Sequence, residues 1–156
     1  MDLMTTAQRS AHMRKIRSHN TAPELLVRRS LHALGYRFRL YGRGLPGEPD
    51  IIFKHKRKAI FVHGCFWHYH EHCPIAHVPK SRQAYWQLKF DTNKIRDQQN
   101  LLKLEDLGWT VLVIWECETA KMQDLLPKIT KFLGPPRSTA AEQGKREDGS
   151  APGCCH

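Results

Sequence analysis

A single run of twelve residues, Val62 to Cys73, constrains this chain more than any other segment. It contains four histidines and two cysteines, and it also carries the adjacent aromatic residues Phe66 and Trp67. A strand in an apolar core would not hold four imidazoles, because buried polar groups need partners, and a solvated loop would not carry two large apolar rings. The run therefore indicates a metal site, a chemically active site and a flat partner against which the rings can pack.

Composition narrows the class of partner. The chain has 156 residues, enough for one domain with its own core, and 25 Lys and Arg against 15 Asp and Glu give a net charge of +10. This balance favours a polyanion, with nucleic acid first and an anionic membrane surface second. No apolar segment approaches the length of a membrane span or a signal-peptide core, so we expect a soluble intracellular protein. The odd count of five cysteines favours metal ligation over a disulfide framework.

Hydrophobic periodicity predicts an α/β domain with a mixed central sheet flanked by helices. The first helix begins with a capping box between Thr21 and Glu24 and ends at Gly35. A β-meander follows, and the predicted strands and later helices span residues 36–40, 49–53, 58–62, 81–107 (with a break near 91–93), 109–115 and 118–133. Residues 1–20 are predicted to be a basic arm, either a short helix or mobile, residues 21–134 the domain, and residues 135–156 a disordered tail.

One carboxylate stands at the start of a predicted strand. Asp50 follows Pro49, which stiffens the approach to the strand. A carboxylate held there in a basic protein suits Mg²⁺, which takes one or two carboxylates together with water and substrate phosphate oxygens. If the second and third strands pair, Asp50 converges with Val62, His63 and His68. The alternative is an aspartate that only forms a turn after proline.

The order of Pro49-Asp50, a short meander and a further strand resembles the restriction-endonuclease-like nuclease core. The third strand reads Phe61-Val62-His63 where most members of that superfamily place an acidic residue and a lysine. In this departure the chain resembles the very short patch repair (Vsr-type) DNA mismatch endonucleases. The resemblance runs from about residue 10 to residue 118, through Met13-Arg14, Thr21-x-x-Glu24, Pro49-Asp50, His63-Gly64-Cys65-Phe66-Trp67-His68, Val78-Pro79-Lys80-Ser81-Arg82, Trp86, Asn93, Arg96-Asp97, Leu107-Gly108-Trp109 and Trp115-Glu116-Cys117.

The resemblance implies roles for the residues near Asp50. Asp50 is then the main protein ligand of a catalytic Mg²⁺, helped by the backbone carbonyl of Val62. His68 is the general base that deprotonates the attacking water, for which an imidazole suits neutral pH. His63 lies beside the scissile phosphate. The acidic residues Glu24 and Asp97 hold metal-bound water or orient the histidines, although Glu24 also fits a capping role and Asp97 an exposed helical acid.

A second, structural metal site is expected beside the catalytic one. Cys65, His70 and Cys73 supply three ligands within nine residues, and the family's zinc site makes Cys117 the fourth. His72 competes with His70 as the ligand, and a set of buried free thiols is the alternative to any metal. Cys154-Cys155-His156 has no counterpart in the family and is interpreted as incidental.

Aromatic and basic residues predict a DNA-binding surface. By resemblance, Phe66, Trp67 and Trp86 form an aromatic wedge beside the mismatch, since unstacking a mismatched step costs less than unstacking a paired one. The N-terminal arm clamps the DNA, and other side chains contact phosphates. The residues expected at the DNA are Arg9, Met13, Arg14, Lys15 and Arg17 in the arm, and Lys80, Arg82, Lys89, Asn93 and Lys94 in the domain.

The implied function is an endonuclease that nicks duplex DNA 5′ to the T of a T:G mismatch, with Mg²⁺ as catalytic and Zn²⁺ as structural cofactor. Such mismatches arise when 5-methylcytosine deaminates, so a cytosine-5 DNA methyltransferase and mismatch-repair proteins are the expected functional partners. We expect a cytoplasmic, nucleoid-associated monomer without a membrane partner. Two alternatives stay open: a nickase or restriction-type endonuclease without mismatch preference, and a non-catalytic zinc-stabilised DNA-binding module.

Overall fold

The computed structural model describes residues 5–16 and 18–136. These residues form the strands β1 (Arg39–Leu40), β2 (Ile51–Phe53), β3 (Lys58–His63) and β4 (Thr110–Trp115), and the helices α1 (Thr6–Lys15), α2 (Ala22–Ala33), α3 (Gln83–Asp106), α4 (Glu116–Thr119) and α5 (Met122–Leu133). A 3₁₀ turn at Lys54–Lys56 joins β2 to β3. In this described part of the chain, no helix has both the length and the apolar character needed to cross a bilayer. Residues 137–156, which include most of the predicted tail, lie outside the described residues.

The sheet is mixed and has the order β1-β2-β3-β4. The first three strands pair antiparallel, which confirms the predicted meander, and β4 pairs parallel to β3 with Val62 opposite Ile114. Because Ile51 pairs with Ile60, the start of β2 lies beside the end of β3. The starting end of β2 and the final ends of β3 and β4 therefore meet at one end of the sheet, where Asp50 precedes the first of these strands.

Helices cover both faces of the sheet. On one face, Ile60 of β3 and Ile114 of β4 are fully buried and belong to the main core, which α2 and α5 complete with Val27, Leu31, Leu125, Ile129 and Leu133. Successive side chains of a strand point to opposite faces, so Phe61 and His63 lie on the other face, where α3 contacts β4. The predicted mixed sheet flanked by helices is confirmed, and His63 faces the long helix.

Helix α3 runs without the break predicted near residues 91–93. Asp91 and Thr92 are accommodated on its exposed surface, whereas Asn93 is buried on the side that packs against the protein. The hydroxyl of Thr92 donates 2.8 Å to the carbonyl of Leu88, and the amide of Gln87 donates 3.0 Å to Asp91. Bonds of this i to i+4 kind keep polar side chains within a helix, so the prediction of a break was wrong.

Two other element boundaries differ from the predictions. Only Arg39–Leu40 of the predicted strand 36–40 pairs in the sheet, because the ring of Tyr36 turns into the core and its hydroxyl donates 2.5 Å to the carbonyl of Gly134. The predicted helix 118–133 is two helices, α4 and α5, which separate at Ala120 and Lys121. In the N-terminal arm, α1 begins with a capping box between Thr5 and Gln8.

Candidate active site

A cleft of about 1010 Å³ opens at the end of the sheet where β2 begins and β3 ends. Its walls come from α1, the first turn of α2, the loop before β2, the segment after β3 and the part of α3 between residues 85 and 101. Many of the residues predicted from the sequence line it together: Met13, Glu24, Asp50, Val62, His63, Phe66, Trp67, His68, Trp86, Lys89 and Asp97. One cleft therefore holds both the predicted catalytic residues and the predicted aromatic wedge.

Asp50 lies at the entrance to β2, and its Oδ2 accepts a hydrogen bond of 2.7 Å from the backbone amide of Val62. Burial raises the pKa of Asp50 to about 6, against the opposing effect of the Val62 hydrogen bond and with a further contribution from the charge of Glu24. A buried carboxylate that resists ionisation gains most from a cation, and a single carboxylate at a cleft fits Mg²⁺. The contact with Asp50 is made by the Val62 amide, while a metal-binding role of the Val62 carbonyl stays a prediction.

The raised pKa leads to a stability prediction for Asp50→Asn, which keeps an acceptor for the Val62 amide. The folded-state pKa lies above the unfolded value, so the ionised carboxylate destabilises the fold above about pH 6, and this cost fades as the pH falls. The shift from 3.8 to about 6 corresponds to at most about 3 kcal/mol. In urea unfolding without Mg²⁺, the variant should be more stable by about that amount at pH 7.5 and by about half of it at pH 5. An advantage that does not change with pH would contradict the prediction.

Glu24 is almost fully buried, at 2% exposure, but it does not form the predicted capping box. The hydroxyl of Thr21 donates 3.0 Å to Glu24 Oε1 instead of accepting from a helix amide, and Oε2 accepts 3.0 Å from the amide of Asn20. Arg28 donates 2.9 Å to the same Oε2. The ion pair with Arg28, four residues along α2, therefore fixes the position of the Glu24 carboxylate near Asp50.

His63 and His68 form a stacked pair, with ring centroids 3.8 Å apart and planes inclined by 4°. Nδ1 of His68 lies 2.5 Å from Oδ2 of Asp97 on α3. Burial, followed by the charge of His68, lowers the pKa of His63 to about 3, so its ring is neutral. Burial acts to raise the pKa of Asp97, but its hydrogen bond to His68 and the nearby positive charge outweigh this and lower the pKa. With Nδ1–H of His68 donating to the Asp97 carboxylate, Nε2 is the ring nitrogen left to accept a proton.

The predicted metal ligands Cys65, His70, Cys73 and Cys117 form a group behind the cleft, hereafter the Cys/His cluster, with ligand atoms all within 4.8 Å of one another. His70 Nδ1 lies 3.7 Å from the sulfur of Cys65 and 3.4 Å from that of Cys117. Zinc bonds of about 2.0–2.3 Å in a tetrahedron separate ligands by roughly 3.5–3.8 Å, so donor type and spacing both fit Zn²⁺. His72 is exposed and lies outside the group, and Cys154-Cys155-His156 falls outside the described residues.

The cluster joins the ends of two paired strands, a relation that the sequence did not reveal. His63 ends β3 and pairs with Trp115, which ends β4. Cys65 follows the first of these residues by two positions, and Cys117 follows the second by the same interval. The amide of Cys117 also donates to the sulfur of Cys65 at 3.4 Å. The cluster therefore joins the two parallel strands at the end where His63 enters the cleft.

The aromatic wedge residues are in mutual contact. Phe66 lies edge-on to Trp67 and Trp86, with centroids 5.1 and 5.4 Å away. An extended chain would point Phe66 and Trp67 to opposite sides, but this segment is a tight turn in which the amide of His68 bonds to the carbonyl of Gly64. Both rings therefore line the cleft, whereas Trp86 is only 8% exposed and supports them.

The residues predicted to bind DNA fall into different positions. Arg14 and Lys89 are exposed, whereas Met13 is half-buried at the cleft. Asn93 is 7% exposed, and its amide donates 2.8 Å to the carbonyl of Trp67. Through this bond Asn93 holds the wedge segment in place, and its predicted contact with DNA stays a prediction. Lys94 is paired with Glu71 at 2.6 Å.

A polar network beside the cleft was not predicted. Arg28 donates 2.6 Å to the side chain of Asn20 and lies over the ring of Tyr41, whose hydroxyl donates 2.8 Å to the same Asn20 oxygen. Asn20 and Tyr41 both have positive φ, an unfavourable conformation for a bulky residue such as Tyr41. The spacing of Glu24 and Arg28 on one helix face was the available signal, whereas the contacts with Tyr41 depend on the fold.

Comparison with known proteins gives the family. The family model described as "DNA mismatch endonuclease Vsr" matches residues 1–74. The chain is 45% identical over 134 residues to "Type II nicking enzyme V.XorIIP" of Xanthomonas oryzae pv. oryzae, which covers 86% of this chain and 98% of the relative. It is 41% identical over 116 residues to "DNA mismatch endonuclease Vsr" of Escherichia coli, which covers 74% of each chain. The chain belongs to the Vsr family of DNA endonucleases.

Membership of the Vsr family confirms the resemblance inferred from the motifs, and it implies the restriction-endonuclease-like fold for the four-stranded mixed sheet described above. Vsr-family proteins are DNA-cleaving hydrolases and have a connection to DNA repair. The chain is therefore an enzyme that acts on DNA, which argues against the non-catalytic binding module. The cleft that holds Asp50 and His68 is its candidate active site.

Proposed function

We propose that this Vsr-family endonuclease nicks one strand of duplex DNA on the 5′ side of the T in a T:G mismatch, by Mg²⁺-dependent hydrolysis of a phosphodiester. The observation that carries the proposal is the position of the His68–Asp97 pair in the same cleft as the aromatic wedge. A reaction at a mismatch needs a group that accepts a proton from water. It also needs aromatic rings that test how firmly the bases are stacked.

His68 is the proposed general base. Asp97 holds the Nδ1 proton, so Nε2 takes the proton from the attacking water while the water oxygen forms its bond to phosphorus and the bond to the leaving oxygen breaks. The neutral ring of His63 keeps the His68 ring in one plane by stacking on it and adds no competing charge near the phosphate. The two histidines thus divide proton transfer and positioning between them.

Two metal ions are proposed from the types of ligand atoms that the protein places together. Asp50, with the carbonyl of Val62, would hold Mg²⁺, and Glu24 would hold water bound to it. Mg²⁺ stabilises the negative charge that develops on the phosphate oxygens when it is bound. The Cys/His cluster would hold a structural Zn²⁺, for which three thiolates and one imidazole are an ordinary ligand set.

Recognition of the mismatch is assigned to the wedge. Phe66, Trp67 and Trp86 all line the cleft, where Trp86 packs against Phe66 and the amide of Asn93 bonds to the carbonyl of Trp67. Insertion of such rings unstacks a base step, and a T:G step resists less than a paired one. The basic residues around the cleft, Lys89 and the arm with Arg14 among them, would add salt-dependent affinity for phosphates. A cytosine-5 DNA methyltransferase is the proposed source of the substrate, through deamination of its product.

The proposal predicts a difference between two duplexes of one sequence that differ only in a T:G or a T:A pair. With Mg²⁺ present, the T:G duplex should be nicked in the T strand on the 5′ side of the T. The paired duplex should be cut roughly 5- to 150-fold more slowly, since a wedge that costs about 1–3 kcal/mol more at a paired step gives a ratio in that range. Denaturing gels with each strand labelled in turn measure both the site and the rate. Equal rates on the two duplexes would contradict mismatch recognition.

A strand nickase without mismatch preference is the second candidate. It is favoured by the names of several relatives, which are called Type II nicking enzymes, such as "Type II nicking enzyme V.NmeAIP" of Neisseria meningitidis, 43% identical over 117 residues. The same pair of duplexes separates the candidates, because a general nickase would cut the T:A duplex as fast as the T:G duplex.

A further inference from the structure

Among the described residues, the ring of His63 is held by packing. Among the hydrogen bonds of the described residues, none involves a ring nitrogen of His63. Its ring instead contacts Phe61 at 5.6 Å, His68 at 3.8 Å and Trp115 at 5.3 Å between centroids. An imidazole without a hydrogen bond to fix it depends on its neighbours, and Trp115 is the largest of the three.

Trp115 itself is held by the Cys/His cluster. The ring of His70 stacks on the indole with centroids 4.2 Å apart and planes inclined by 5°. Cys117, another member of the cluster, follows Trp115 by two residues, and the Trp115 amide donates 2.8 Å to Glu118. The indole of Trp115 therefore stacks face to face on His70 of the cluster and lies edge-on to the buried His63. Trp115 does not line the DNA-binding cleft but a smaller cavity of about 370 Å³ behind the histidine pair.

We propose that Trp115 is a positioning residue for the nicking reaction. It transmits the position of His70 in the Cys/His cluster to His63, and so keeps the His63–His68 stack aligned for proton transfer. The cluster then has two effects, on stability through its ligands and on turnover through the His70–Trp115–His63 contact. This inference rests on the proposed function for its kinetic consequence, while the ring contacts are independent of it.

The first test uses Trp115→Leu and Trp115→Phe. Trp115→Leu removes the flat ring and should lower kcat by roughly 10- to 100-fold, since a small misplacement of a catalytic group has an effect of that size. KM for the duplex should not change, because Trp115 lies outside the cleft. Trp115→Phe keeps a ring between the histidines and should recover most of kcat. A Trp115→Leu enzyme with normal kcat, or with a raised KM and normal kcat, would overturn the proposal.

The second test breaks the contact from the other side. His70→Cys keeps four soft ligands for zinc but removes the ring that stacks on Trp115, and His72→Cys is the matched control outside the cluster. We expect His70→Cys to keep its zinc, to lower kcat as Trp115→Leu does, and to add no further loss when the two are combined, as coupled residues behave. Full turnover in zinc-loaded His70→Cys, or additive losses, would overturn the coupling.

Fluorescence separates this inference from the proposed function. In otherwise wild-type protein, His70→Cys should change the tryptophan emission. In protein that also carries Trp115→Phe, His70→Cys should leave the emission unchanged. The control His72→Cys should leave the emission unchanged in both proteins. Turnover is measured on whichever duplex wild-type protein nicks, so a lack of mismatch preference bears on the proposed function alone. An identical emission change in both backgrounds would show that Trp115 does not report on His70 and would overturn the proposal.

Discussion

Substitution of His68 with alanine should lower the rate of nicking by roughly two to four orders of magnitude, the range for loss of a general base. The side chain is only partly exposed and its Nδ1 is held 2.5 Å from Asp97, so the imidazole is fixed in one orientation with Nε2 left to accept a proton. Alanine removes the acceptor and leaves Asp50 in place. Single-turnover nicking of a T:G duplex measures the effect, and duplex affinity should stay near that of wild-type protein.

The matched control is His55→Ala, which removes an exposed histidine in the 3₁₀ turn that joins the other ends of β2 and β3. It should nick at the wild-type rate. If His68→Ala and His55→Ala behave alike, His68 is not the base. If His68→Ala loses DNA affinity in proportion to its rate, the side chain binds substrate and does not transfer a proton.

Substitution of Cys117 with serine should remove enough stability for much of the protein to unfold at 37 °C. Zinc binding in small zinc-finger peptides is worth about 10–16 kcal/mol, and even a third of that equals a large part of the 5–15 kcal/mol that holds a typical domain folded. The metal-to-protein ratio by atomic emission and the urea midpoint should fall together. Cys117 also joins the end of β4 to Cys65, so the loss extends to the strand pair itself.

Cys154→Ser is the matched control, because it removes a thiol from the predicted C-terminal tail, away from the Cys/His cluster in sequence. It should change neither the zinc content nor the urea midpoint. Active, folded Cys117→Ser protein that still carries one zinc per chain would contradict the ligand assignment. Active wild-type protein without zinc would contradict the metal itself.

The sequence predicted the order of the elements along the chain, the meander and a mixed sheet, because alternation and turn residues are local signals, but it did not predict that the last strand pairs with β3. The predictions failed where the same local residue pattern is compatible with two different structures. Thr21 and Glu24 fit a capping box by spacing, yet the buried Arg28 draws the Glu24 carboxylate away from the helix amides. The polar residues around Thr92 suggest a break, yet backbone and side-chain partners one turn away satisfy them within α3.

The residues of the candidate site were predictable as chemical types but not as geometry. The donor pattern selected Cys65 and Cys117, whereas the choice of His70 over His72 required the turn that follows β3. The parallel stack of His63 on His68 depends on the approach of α3 and has no signature in the sequence. Asn93 resembled a DNA contact by its position in the motif, and only the fold shows that its amide bonds to Trp67.

The parallel pairing of β3 with β4 has a consequence for the growing chain. Asp50 and His63 are made early, but Asp97 and Cys117 follow later, and β4 can dock beside β3 only after the whole of α3 has been synthesised. Contacts between residues this far apart in sequence form late, because the loop between them must close first. A nascent or truncated chain therefore carries the acidic residue without an aligned histidine pair. The cleft that holds Asp50 and His68 is therefore complete only after α3 has been synthesised and packed on the sheet.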